Sequence, residues 1–199
     1  MTSQSIERLQ RHANDLSQLS RNHYIPETET REDDVSHSYS VALLAWQLNS
    51  ELGLGLDTKR VLQYALVHDF VEVYAGDVNT FASPEARRQK EIDEERALSR
   101  LRRDYVDEPA FLAAISEYQA QANDETRFVW ACDKIQALQQ GLLDEWRCYY
   151  ELGITDERFA AKLEEIRDRT PAGLLEFYDD FSIRCLASYH YSEMQPTLF

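Results

Sequence analysis

Apolar positions recur along this chain with a period near 3.6 residues, and nearly every segment reads as helix. Residues 5–19 carry Ile6, Leu9, Leu16 and Leu19. An irregular polar stretch follows, RNHYIPETETREDDVS, with Pro26 inside it. Its length is unusual for a connection, and long connections are often functional. From Val35 to about Leu52 the pattern is strong, with Val41, Leu44, Ala45 and Leu48 on one face. The turn GLGLD comes next, with Asp57 or Thr58 as N-cap. Residues 58–73 form a second apolar helix with Leu62, Ala65, Leu66 and Val73 inward, ended by Gly76-Asp77. Ser83-Pro84-Glu85 reads as an N-cap with proline at the first helical position, opening a charged helix over 84–104. Pro109 opens a short helix near 108–121. Residues 124–150 form a third strongly apolar helix, with Phe128, Val129, Cys132, Gln136 and Leu143 near one side. Segments 156–168 and 171–190, divided by Thr170-Pro171, finish the chain. No strand alternation competes, and no repeat, low-complexity segment or linker divides the sequence. The pattern predicts one all-α domain over residues 1–199.

Composition narrows the picture. The 199 residues are 43% hydrophobic and 29% charged, with 6 Gly and 5 Pro. That content supports a sizeable core and excludes wholesale disorder. The formal net charge is −15. A long nucleic acid or an anionic membrane surface is attracted by surplus Lys and Arg, so neither is an expected partner. A small anionic substrate stays open, because a local pocket can be basic or metal-loaded. Cys132, Cys148 and Cys185 are odd in number and widely spaced, which fits buried thiols in a reducing compartment. The N-terminus lacks the apolar stretch of a signal peptide, and no run approaches ~18 apolar residues. The expected location is cytoplasmic.

Charged groups in phase with buried stripes carry the chemistry. His37 precedes Val41, Leu44, Ala45 and Leu48 at helical spacing, at the N-terminal end of an inward stripe. A satisfied core histidine would account for it as well as a ligand does. Asp69 falls in phase with Leu62 and Ala65, and a buried carboxylate calls for a cation nearby. His68 adjoins it, and Glu72 lies one turn on. An exposed, dipole-paired final turn is the plainer explanation, and the Leu66-Val67 run just before the pair argues against it. Asp133 sits inside FVWACDKIQAL, where a salt bridge to another helix would satisfy it; Lys134 is adjacent and points elsewhere on the helix. Together the residues offer two imidazoles and two carboxylates on separate apolar helices. Such a mixed set suits Mn, Fe, Co, Ni or Zn, with Mg also admitted. Positions left to water would make the site catalytic.

This H…HD…D pattern resembles the HD-domain metal-dependent phosphohydrolases. DVSHSYSVALLAWQLN resembles the first motif helix of that family. VHDFVEVYAGD resembles its extended signature, HD-x-x-E-x-x-x-GD, and ETRFVWACDKIQAL resembles the helix carrying the last aspartate. The likeness covers roughly residues 20–145 and is closest to the 5′-deoxynucleotidase-like branch. It implies a helical bundle with a metal site between core helices. It implies His37, His68, Asp69 and Asp133 as ligands to a divalent metal ion, and Glu72 as catalytic carboxylate. Asp77 takes the GD position, which contacts the sugar or helps catalysis. Lys90 and Glu94 match a Lys-x-x-x-Glu element, and Arg21 or Arg31 stands where relatives place a phosphate-binding arginine. Ser36 replaces a common Glu, Arg21-Asn22 replaces an Arg-Trp pair, and VNTFASPEA replaces a Pro-Thr-Pro segment.

The implied reaction is release of phosphate from nucleoside 5′-monophosphates by attack of a metal-activated water. A triphosphohydrolase acting with the same ligands is one alternative, and a non-catalytic metal-binding interaction module is another. A helical bundle with buried salt bridges would bind no metal. The charged helix 84–104 reads as a solvated face whose inner side lends Lys90 and Glu94 to the site. Tyr149, Tyr150, Tyr178, Tyr189 and Tyr191 suit a homodimer surface, and terminal-helix packing accounts for them equally well. The tail SEMQPTLF is expected to be mobile.

Overall fold

Thr2 opens the first helix, because its hydroxyl accepts the backbone N–H of Ser5 and leaves that end satisfied. The computed structural model describes residues 2–76 and 84–191. Asp77, Ser83 and the tail SEMQPTLF lie outside the described residues. In chain order the elements are α1 (Ser3–Leu16), β1 (Ser20–Tyr24), β2 (Arg31–Asp33), α2 (Asp34–Glu51), α3 (Thr58–Val67) and α4 (Glu72–Ala75). They continue as α5 (Pro84–Asp104), α6 (Pro109–Gln119), α7 (Asp124–Leu143), α8 (Arg147–Glu151), α9 (Asp156–Arg169) and α10 (Leu175–Ser188), the last preceded by a 3₁₀ turn, Ala172–Leu174. Among the described residues no helix is long and apolar enough to cross a membrane.

Three departures from the sequence pattern matter. The polar stretch holds an antiparallel hairpin, pairing Ser20 with Asp33 and Tyr24 with Arg31 around an irregularity. Strands of five and three residues, SRNHY and RED, show too little apolar alternation to announce themselves. The second apolar helix stops at Val67, not residue 73. Phe70 N–H then bonds the Val67 carbonyl at 3.0 Å and Glu72 N–H the Asp69 carbonyl at 2.8 Å, a tightened turn that re-aims residues 68–71. The third stops at Leu143, because Glu145 and Trp146 adopt positive φ of 49° and 61°. Trp146 is thereby turned inward and buried.

Helices α2, α3 and α7 pack against one another around Val41, Ala45, Val61, Ala65, Val129 and Cys132. Helices α9 and α10 lie on α7 and extend the same core through Phe159, Leu163, Tyr178 and Phe181. A second cluster joins α1, α4, α5 and α6 through Leu16, Val71, Leu101 and Ile115. The inward stripe of α3 runs through Val61, Tyr64 and Ala65, so Leu66, expected inward, faces solvent. Ile6 and Leu143 are likewise exposed. All three cysteines are buried thiols. Tyr149, Tyr178 and Tyr189 are buried too, and Tyr189 stacks on Phe159 with ring centroids 4.1 Å apart.

Candidate metal centre

Three chain segments deliver the four side chains of the site. Asp33 caps α2, its carboxylate accepting the N–H groups of Val35 and Ser36, so α2 begins just before His37. The first turn of α2 therefore carries His37, fully buried. The re-aimed end of α3 supplies His68 and Asp69, and the middle of α7 supplies Asp133. Asp133 Oδ1 lies 3.1 Å from His37 Nε2 and 4.0 Å from His68 Nε2. Asp69 Oδ2 lies 3.1 Å from His68 Nε2 and 3.7 Å from His37 Nε2. The two imidazole centroids are 5.1 Å apart.

The hydrogen-bond partners decide what these atoms present. His68 Nδ1 lies 2.8 Å from the Ala65 carbonyl, which only accepts, so Nδ1 bears the proton. His68 Nε2 is buried, and among the described residues no hydrogen bond reaches it. His37 Nδ1 lies 2.7 Å from Gln136 Oε1, another acceptor. Both rings thus turn Nε2 toward carboxylate oxygens, and four lone-pair atoms converge in a buried space. Arg21 reaches only the Asp69 oxygen of the four, and a convergence of this kind is costly without a further cation among them. His37, His68 and Asp69 offer ligand atoms mutually within 4.8 Å. Two imidazole nitrogens and two carboxylate oxygens fit a first-row divalent ion, and a backbone or amide acceptor behind each Nδ1 is the usual support of a metal-binding histidine.

Positive side chains stand around the carboxylates. Arg21, from β1, reaches Asp69 Oδ2 at 3.0 Å and Asp34 Oδ1 at 3.3 Å. Lys134 Nζ lies 2.7 Å from Asp133 Oδ2, so this lysine does not point elsewhere as its place on the helix suggested. Its long side chain folds back along α7. Burial alone would raise the Asp69 carboxyl, but His68 and Arg21 outweigh it and hold it well below the usual range. At Asp133 the same burial is outweighed by Lys134 and the histidines. Burial opposes a charge on His68, yet Asp69 and Asp133 raise its affinity for a proton, as they would for a metal ion.

Glu72 is buried at the start of α4, with Lys90 of α5 on its Oε1 at 3.1 Å. Lys90 also lies 3.5 Å from Glu94. Glu72, Asp34 and Asp69 offer oxygens within 4.8 Å of one another, which places Glu72 beside the ligand set. Arg21 is brought to the centre. Arg31 is not: it bonds the Asn22 carbonyl, the Tyr24 hydroxyl and Glu151. Asp77 lies outside the described residues. Sequence reading missed Glu32, Asp34 and Gln136. Glu32 and Asp34 are buried, and Asp33 between them is half-buried, its carboxylate on the first turn of α2. That period-two alternation was the available signal, but in a run reading REDD it is indistinguishable from a solvated charge cluster.

An all-helical bundle that clasps two histidines and two aspartates between three core helices defines a class of metal-centred helical domain. The family described as "HD domain" matches residues 13–172, and the chain belongs to it. No curated protein matches the sequence. A solved structure described as a predicted metal-dependent phosphohydrolase from Magnetospirillum magnetotacticum MS-1 is similar over 93% of this chain and 95% of that one, with TM-score 0.75 and 22% identity. An HD-domain phosphohydrolase from Listeria innocua is similar over 97% of this chain and 95% of that one, with TM-score 0.64 and 16% identity. A protein from Pyrococcus horikoshii OT3 is similar over 92% of this chain and 99% of that one, with TM-score 0.64 and 24% identity. At these identities the likeness is one of fold.

Proposed function

We propose that the chain is a metal-dependent phosphohydrolase that releases phosphate from nucleoside 5′-monophosphates in the cytoplasm. The observation that carries this reading is the buried convergence of His37 Nε2, His68 Nε2, Asp69 Oδ2 and Asp133 Oδ1. The names of the Magnetospirillum and Listeria neighbours agree with the phosphohydrolase part of it and say nothing of the substrate. A divalent ion held by these residues supplies a Lewis acid that acidifies water and offsets phosphoryl charge. Glu72 orients the attacking water, takes up its proton and returns it to the leaving 5′-oxygen; the ammonium of Lys90 holds Glu72 in place. Arg21 stabilises charge on the equatorial oxygens. Arg31, spent on Tyr24 and Glu151, has no part in the chemistry. Asp77 holds a sugar hydroxyl, and Glu94 keeps Lys90 aligned. Phosphoryl transfer asks mainly for positioning and electrostatics, so this small set suffices. A net charge of −15 keeps long nucleic acids outside the proposal, which admits a second copy of the chain as partner.

Product chromatography with metal-supplemented protein tests the reading, on ribo- and deoxynucleoside mono- and triphosphates. The expected result is nucleoside plus phosphate from monophosphates, absent in His68→Ala. Tripolyphosphate from triphosphates would move the chain to the alternative chemistry. Bound metal without turnover of any nucleotide would sink the nucleotidase reading.

A further inference from the structure

Behind His37 lies a buried pair that the proposed reaction does not use. Gln136, one turn after Asp133 on α7, places Oε1 2.7 Å from His37 Nδ1. Its Nε2 donates to Glu32 Oε1 at 3.1 Å. Both side chains are nearly inaccessible, at 6% and 3% exposure, in a chain whose carboxylates mostly face solvent. A carboxamide has one accepting end and one donating end. A carboxylate only accepts, so Glu32 can be met only by the NH₂ of Gln136. That contact forces Oε1 toward His37 and obliges Nδ1 to carry the proton. The Nε2 lone pair then faces the ligand set. Were the amide reversed, its NH₂ would meet His37 Nδ1 and the proton would move to Nε2, closing that ligand.

Resting on the metal-hydrolase reading, we infer that Gln136, keyed by Glu32, is a positioning residue that fixes the ligating tautomer of His37. The hairpin is the part of the fold that makes this work. Strand β2 carries Glu32 to α7, and one turn further on Gln140 Nε2 bonds the Tyr24 carbonyl of β1 at 2.8 Å. Two glutamines a turn apart thus dock both strands on α7. Arg21, on β1, reaches Asp69 from the same hairpin. Its Nε also lies 3.8 Å from Glu32 Oε2, so the hairpin supports one histidine and one aspartate of the ligand set together.

Cobalt(II) binding to the full chain tests this, by chelator competition and by the visible spectrum, which reports the ligand set. Gln136→Leu removes the acceptor and is expected to weaken cobalt binding about 10- to 100-fold, the usual cost of losing such an outer partner. Glu32→Gln removes the key without changing the shape, so the amide can sit either way; weaker binding and an altered spectrum are expected here as well. The exchanged pair Glu32→Gln with Gln136→Glu restores an acceptor to Nδ1 and a donor between the two. It is expected to return affinity and spectrum toward wild type. Because Glu32→Gln and the exchanged pair keep the shape of the site, they decide the matter even if Gln136→Leu does not fold. Binding within twofold of wild type in both single variants, with superimposable spectra, would overturn the inference. Weakening in both without recovery in the exchanged pair would also overturn it, since lost packing would then be the cause. Failure of the wild type to take up cobalt would overturn the metal reading itself, an outcome distinct from any behaviour of the variants.

Discussion

Two arginines separated by nine residues of hairpin register have opposite fates, and the difference is testable. Arg21 reaches Asp69 and Asp34 at the centre, while Arg31 lies over the Tyr24 ring, 4.4 Å from its centroid, and bonds Glu151. Removing a positioned donor to a developing oxyanion costs about 10²- to 10³-fold. Arg21→Ala should lower kcat/KM by about that much, and Arg31→Ala by less than about threefold, the expected scale for a residue off the site. Equal losses in folded variants would refute the assignment. His23 offers a second test at this scale. Its Nε2 lies 3.3 Å from the Tyr149 hydroxyl, and burial pushes its pKa down from 6.5 to about 3. Its neutral form is thus the one the fold keeps. The sign follows: the contribution is complete above pH 6.5 and is lost as pH falls toward 3, because only the unfolded chain takes up the proton. Between pH 6 and 5 wild type should lose about 1 kcal/mol relative to His23→Gln, since a full pH unit inside the window is worth about 1.4 kcal/mol. Urea midpoints of the two proteins read this directly, and parallel pH profiles would disprove it.

At the scale of elements, the break between α7 and α8 turns on Gly141. A Cβ there would stand 2.7 Å from Tyr149 Cε2 and 2.8 Å from Trp146 Cε3. Both rings are buried and cannot retreat. Gly141→Ala should therefore destabilise the fold by about 1–3 kcal/mol, the cost of overpacking. Cobalt affinity should be unchanged, because Asp133 lies two turns away; an unaltered urea midpoint would be the contrary result. This break also shows where sequence legibility ended. The helices around Val41, Ala65 and Val129 were readable, since a 3.6-residue apolar period survives in any one sequence. Asp69 and Asp133 stood out as charges among apolar positions, His37 at the end of an apolar stripe and His68 only as the neighbour of Asp69; the structure brings the four side chains together, and their part as ligands belongs to the proposal. The ends of α3 and α7 were not readable, because they depend on tertiary contacts: a tightened turn after Val67, and Trp146 accepting φ of 61° in exchange for burial. The hairpin was hidden for a related reason. Its strands are mostly polar, and what fixes them is the docking of Gln136 and Gln140 from a helix more than a hundred residues away.

On the scale of the molecule, α2, α3, α7 and the hairpin are held to one another at a centre whose groups repel unless a cation joins them. The buried Asp133 and the half-buried Asp69 are partly offset by Lys134 and Arg21, yet both imidazole Nε2 atoms still face oxygen. Metal binding should therefore act as a clamp on the whole bundle. A ligand bound only by the folded state adds about 2.7 kcal/mol when present at 100 times its dissociation constant. For a chain near 200 residues, 1 kcal/mol moves Tm by about 2–4 °C, so the gain is about 5–11 °C. Calorimetry of cobalt-loaded and chelator-treated protein measures it. In His68→Ala the shift between loaded and stripped curves should be the smallest, because one of the two imidazole donors is gone and only His37 is left beside the carboxylates. Asp133→Asn should fall between, since an amide oxygen still donates but without charge. A large shift retained in His68→Ala would place the stabilising ion elsewhere, on the Asp34, Asp69 and Glu72 oxygens that also lie within 4.8 Å of one another. The order wild type, Asp133→Asn, His68→Ala thus distinguishes a mixed nitrogen–oxygen centre from a purely acidic one.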